Sequence, residues 1–170
     1  GLPDVVVDLP ALTTVLEGKH RPGHFKGVCQ VVAKLFNIVQ PDLAVFGQKD
    51  LQQACLVQAM TRELDFPLEV VVEPTVRDSD GLALSSRNQF LSPGERKSAL
   101  ALPRALTKVR AAYRSGVRSG TELERVAWEA TGPVGSLSSL RVVAALDAVF
   151  GALRAFLDGI FDDKVFVVSF

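Results

Sequence analysis

Between Pro74 and Asn88 the chain reads Pro-Thr-Val-Arg-Asp-Ser-Asp-Gly-Leu-Ala-Leu-Ser-Ser-Arg-Asn, a strand-like segment passing into a turn dense with anion-binding groups. Ser85 and Ser86 offer hydroxyls and backbone N–H groups, and Arg87 offers a planar fork of donors. Gly81 provides a backbone position without a Cβ. Together these are the parts of a phosphate cradle. The same Ser-Ser-Arg-Asn turn after Asp-Gly also suits a solvated loop that caps the next helix. A second basic motif, Gly47-Gln48-Lys49-Asp50, follows the apolar run Leu43 to Phe46 and precedes a helical pattern. Lys49 is therefore expected where a strand hands over to a helix N-terminus, which favours anions. A solvated lysine paired with Asp50 is the alternative.

In a parallel α/β sheet, ligands bind beyond the carboxyl ends of the strands, and both motifs follow strand-like runs. The two loops are thus expected to face one ligand. Lys49 brings a point charge and Arg87 a bidentate clamp, a combination suited to a polyphosphate. Gln53 follows Asp50 by one helical turn and shares the face beside that anion site, where its amide can bond the hydroxyl or carboxylate of a small acid. Gln52 and Gln53 can also be surface helix residues chosen for propensity. His24 follows the turn Arg21-Pro22-Gly23 and is a candidate substrate contact, since imidazole transfers protons near neutral pH. The same turn reads as a helix entry ahead of Phe25, Val28, Val31, Val32, Leu35 and Phe36.

Four motifs recur in order: Arg21-Pro22-Gly23-His24-Phe25; Lys34 to Asp42 (Lys-Leu-Phe-Asn-Ile-Val-Gln-Pro-Asp); Phe46-Gly47-Gln48-Lys49-Asp50 with Gln52-Gln53; and Asp80 to Asn88. In these motifs and their spacing the chain resembles the pantothenate synthetases, over residues 1 to 97. The resemblance implies an ATP-dependent ligase that joins pantoate to β-alanine through a pantoyl-adenylate, with Mg2+ accompanying ATP. It implies ATP contacts at Gly47, Gln48, Lys49, Asp50, Val76, Leu84, Ser85, Ser86 and Arg87, with Lys49 and Arg87 acting on the phosphates. It also implies pantoate binding by Gln53, and a homodimer.

Three departures accompany the resemblance. Gln48 stands where the family usually has glutamate, which makes the loop more positive and removes an outer-sphere partner for a metal-bound water. The C-terminal third, ending Lys164-Val165-Phe166-Val167-Val168-Ser169-Phe170, aligns only loosely. The family's upstream paired-histidine motif, which supplies the acid for adenylation, has no counterpart, because the histidines of this sequence are His20 and His24. The resemblance therefore implies a chain that catalyses poorly alone: a fragment, a truncated product or one half of a split enzyme. An inactive nucleotide-binding or interaction module is the runner-up, and another adenylate-forming nucleotidyltransferase a third reading.

Composition suits a soluble enzyme, with 48% hydrophobic residues, 22% charged and 19 basic against 19 acidic side chains. No excess charge calls for nucleic acid; the basic residues from Arg104 to Arg118 space out as a solvated helix face. Cys29 and Cys55 lie in apolar helical patterns without Cys-x-x-Cys spacing and read as buried thiols. No apolar run is long enough to span a bilayer, and the expected location is the cytoplasm.

The elements that must hold the candidate residues alternate. Strands are expected at Val5 to Leu9, Leu43 to Phe46 and Leu68 to Glu73, with helices at His24 to Val39 and Asp50 to Leu64. Such alternation argues an α/β fold, part of a Rossmann-like nucleotidyltransferase domain with a buried parallel sheet. Ser92-Pro93-Gly94-Glu95 announces a helix that Pro103 interrupts, and a further helix is expected from Thr121 to Ala130. The tail reads as a small antiparallel sheet, with Val142 to Phe156 alternatively helical. The expected division is residues 1–82 for the second half of the ATP/pantoate-binding domain and 83–170 for a small α+β lid.

Overall fold

The computed structural model describes residues 4–131, and the chain divides between Thr75 and Val76 into two compact units. In the first unit, short helices α1 (Pro10–Thr13) and α2 (Glu17–His20) lead to α3 (His24–Val39). Strand β1 (Leu43–Gly47), a 3-10 turn (Gln48–Asp50), helix α4 (Leu51–Glu63) and strand β2 (Glu69–Glu73) follow. Helix α3 forms because Phe25, Cys29, Val32, Ala33 and Phe36 recur at helical spacing and all are buried. It stops at Gln40, which turns left-handed (φ 50°) ahead of Pro41, a residue that cannot continue a helix.

The two strands run parallel, pairing Leu43 with Glu69 through to Gly47 with Glu73. A parallel pair needs a crossover, and α4 supplies it. Leu56, Val57 and Met60 of α4 are fully buried against α3, and Ala44, Phe46 and Val70 of the strands pack onto the same core. Contrary to the expected buried sheet, among the described residues this core covers one face only. Leu43 and Val45 on the other face are 49% and 58% exposed, and Val31, Leu35 and Ile38 line the outer side of α3 at 54%, 51% and 77%.

The strand expected at Val5 to Leu9 does not form. The Val7 N–H donates to Gln30 Oε1 (3.2 Å), so a side-chain amide takes the place of a ladder partner, while Val7 and Leu9 pack on the core and Pro10 opens α1. Gln52 is another departure: it is buried rather than at the surface. Its Nε2 donates to the carbonyls of Leu12 (2.8 Å) and Val15 (2.9 Å), and its Oε1 accepts from the Glu17 N–H (3.1 Å), fastening the α1–α2 segment to α4. That segment leaves no space at Gly18, where a Cβ would fall 2.1 Å from the Thr13 carbonyl oxygen.

The second unit begins with a polar loop and a 3-10 turn (Ser86–Phe90). It continues with α5 (Pro93–Ala99), α6 (Ala101–Arg114) and α7 (Gly120–Thr131). Ser92 and Glu95 form the expected reciprocal capping box, and the Ser92 hydrogen bonds hold the Glu95 carboxyl below its ordinary range. The interruption falls at Leu100, because Pro103 lacks the N–H that would bond the Ala99 carbonyl; the proline sits instead in the first turn of α6. Helices α6 and α7 close around Ala105, Val109, Leu123 and Ala127. The tail elements expected beyond residue 131 lie outside the described residues.

This packing makes two outcomes measurable. Gln52→Ala strands three backbone groups and should cost about 3 kcal/mol in urea unfolding, whereas Gln53→Ala next door should change it by less than about 0.5 kcal/mol. Burial pushes the thiols of Cys29 and Cys55 up to about 11. Neither should be alkylated by iodoacetamide at about pH 8 until the chain unfolds, a point that mass spectrometry decides.

Candidate functional site

In the first unit, β1 ends at Gly47 and the chain passes through the Gln48–Asp50 turn into α4. This is the strand-to-helix handover expected of Lys49. Among the described residues no side chain caps the first turn of α4, and the positive end of the helix dipole there favours an anion. Lys49 is exposed, and its ammonium lies 3.5 Å from both carboxylate oxygens of Asp50. An exposed pair at that separation holds the lysine weakly. Gln53 stands in the first turn of α4, half-buried, and among the described residues its amide makes no hydrogen bond. His24 is the first residue of α3, half-buried, with its ring 5.0 Å from that of Phe25. The backbone thus gathers Gly47, Gln48, Lys49, Asp50 and Gln53 at one end of β1 and α4, while no hydrogen bond joins His24 to them among the described residues.

In the second unit, Val76 and Leu84 are eight positions apart in sequence but adjacent in space, because the Leu84 N–H donates to the Val76 carbonyl (2.9 Å). Inside that pair, Arg77 and Ala83 form an antiparallel bridge, and the Asp78 N–H donates to the Leu82 carbonyl (2.8 Å). Gly81 turns the loop with a φ of 91°, which a side chain would resist. Asp80 Oδ1 accepts from the Leu82 N–H (3.1 Å), and the Arg77 guanidinium donates to the Gly81 carbonyl (3.1 Å). Ser85 follows at once, accepting from the Arg87 N–H and so capping the turn that carries Ser86 and Arg87. Asn88 ties that turn back to the Ala83 carbonyl (3.0 Å). Ser86 and Arg87 are exposed, and among the described residues the Arg87 guanidinium has no hydrogen bond or ion pair.

A contact that local sequence does not reveal braces this loop. Arg96 on α5 donates through Nη2 to Asp78 (2.7 Å) and through Nε to Asp80 (2.8 Å). The Arg96 hydrogen bond, helped by the Leu82 N–H, holds the Asp80 carboxyl below its ordinary value. The two aspartates were legible as residue types, but their partner lies 16 and 18 positions further on.

A family model described as pantoate-beta-alanine ligase matches residues 2–148. This chain belongs to the pantoate-beta-alanine ligase family. A second model, for a family of unknown function (DUF1290), matches residues 133–170 and overlaps the first over residues 133–148. Similar relatives include the pantothenate synthetase of Moorella thermoacetica, 54% identical over 74% of this chain and 46% of the relative. That of Pelotomaculum thermopropionicum is 53% identical over 71% and 43%. Among solved structures, the pantothenate synthetase of Thermus thermophilus superimposes with a TM-score of 0.71 at 49% identity, covering 79% of this chain and 48% of that one. The pantoate-beta-alanine ligase of Francisella tularensis, complexed with beta-gamma ATP and beta-alanine, gives 0.56 at 31% identity, covering 74% of this chain and 46% of that one. The parallel strand–helix–strand unit is accordingly part of a Rossmann-like α/β fold, and the chain spans about half the length of the curated relatives it matches.

Because the folded value for Asp80 lies below the unfolded one, the stabilisation it provides is present above the unfolded value and is lost as pH falls through the folded value. The protection factor of the Leu82 amide should therefore drop below about pH 4, and Asp80→Asn should flatten that profile. Hydrogen exchange at a series of pH values measures both.

Proposed function

We propose that this chain carries part of the site at which pantoate and β-alanine are condensed to pantothenate at the expense of ATP, by way of a pantoyl-adenylate. The observation that carries the reading is the Val76–Leu84 pairing. It delivers Ser85, Ser86 and Arg87 from a braced turn, with the Arg87 fork uncommitted among the described residues. Lys49 and Arg87 would neutralise the phosphates as charge moves onto them, helped by N–H groups at the start of α4 and by Ser85 and Ser86. Gly47, Gln48, Asp50, Val76 and Leu84 would line the nucleotide through backbone and loop contacts. Gln53 would hold pantoate, and His24 would contact substrate from the start of α3.

Mg2+ would enter bound to the ATP phosphates. There it would be held largely by phosphate and water. The chain would supply the second half of the ATP/pantoate-binding domain and a smaller C-terminal domain, act in the cytoplasm and pair as a homodimer. No described helix is long and apolar enough to cross a membrane.

A second reading, a non-catalytic module that docks on a partner or on itself, is favoured by the exposed Val31, Leu35, Ile38, Leu43 and Val45. Pyrophosphate release from ATP, Mg2+ and pantoate separates the two, measured with and without β-alanine and with and without an added N-terminal half of the Thermus relative. Release in either arrangement supports the ligase, and none in both supports the module. In the active arrangement, Lys49→Ala should slow adenylation ~100-fold, the scale of one lost charge contact in the transition state. A rate near that of the parent would remove Lys49 from the phosphates.

A further inference from the structure

We propose that Arg96 is a positioning residue that sets the shape and charge of the Val76–Arg87 loop and thereby its affinity for ATP, an inference resting on the reading of that loop as a phosphate site. The loop has almost no apolar anchor: among its residues only Leu82 is buried. Its form rests on hydrogen bonds, and two of the groups that make them, the carboxylates of Asp78 and Asp80, repel each other across Ser79. The Arg96 fork satisfies both at once, at 2.7 and 2.8 Å. Its base is α5, which the Ser92–Glu95 capping box fixes at the N-terminal end.

Geometry and charge act together. With both aspartates bridged, Asp80 Oδ1 remains turned to the Leu82 N–H, which keeps Leu84 against Val76 and Ser85 at the head of the turn. The same bridge offsets one of the two negative charges on the loop that is to receive an anion. Arg77 bonds the Gly81 carbonyl and Arg96 bonds the aspartates, so Arg87 is left for the ligand. A lysine at position 96 would keep the charge but, as a point donor, could not bridge two carboxylates in the same plane.

The test uses the whole chain and ATP as probe, with Arg96→Gln, Arg96→Lys and Arg87→Ala compared with the parent. Amide exchange is followed at Asp78, Gly81, Leu82 and Leu84 and across α6 and α7, and ATP affinity is followed by calorimetry. The expected result is faster exchange in the loop alone, and ATP affinity about tenfold weaker in both Arg96 variants, because a displaced donor costs as much as a missing one. Since Arg96→Lys retains the charge, it carries the test if the glutamine variant fails to fold. Affinity lost in Arg87→Ala but unchanged in the Arg96 variants would overturn the inference and spare the phosphate-site reading. Loosening that extends through α6 and α7 would overturn it too, reducing Arg96 to a general stabiliser. A parent chain that binds no ATP, alone or with the added N-terminal half of the Thermus relative, would overturn both.

Discussion

Parallel strands cannot be joined by a tight turn, and that constraint organises the first unit. The connection from β1 to β2 must cross over the sheet, and α4 does so by burying Leu56, Val57 and Met60 against α3. Because the middle of α4 is held in the core, its first turn cannot drift from the end of β1. The uncapped N–H groups, Lys49 and Gln53 are thus placed by apolar packing some distance away. The Gln52 amide extends the same logic to the preceding residues, converting an irregular segment into a fixed wall through three bonds to its backbone.

The candidate loop of the second unit is held by different means. The Val76–Arg87 loop is a polar construction in which main-chain bonds, a left-handed glycine and one arginine replace a hydrophobic anchor. Polar bonding of that kind is directional, so it can fix the orientation of Ser85 and Arg87 more narrowly than packing against a smooth surface would. The physical supports of the two loops are unrelated.

Local pattern carried much of this into view. The boundaries of α3 follow from Gly23, Gln40 and Pro41; the capping box from Ser92 and Glu95; and the break before α6 from Pro103. The motifs that identify the family also named the residues now found at the end of β1 and in the polar loop. What sequence concealed depends on distance along the chain. Val5 to Leu9 has the composition of a strand, but a strand exists only where a neighbour offers a ladder, and here Gln30 intervenes. Gln52 and Gln53 look identical in a helical pattern, and only the position of the Leu12–Glu17 backbone makes one buried and the other half-exposed. Arg96 gave no local signal for the same reason.

The contrast between an apolar first unit and a salt-bridged loop has a consequence for the solvent in which the protein works. Arg96, Asp78 and Asp80 are about one-third exposed (34%, 31% and 32%), so dissolved ions reach their field and screen it within a few ångströms at high salt. The core around Leu56 and Met60 responds in the opposite sense to a strongly hydrated salt such as sulfate, which is excluded from protein surface and favours burial. Raising sulfate concentration therefore tightens the scaffold of the first unit while slackening the brace of the second.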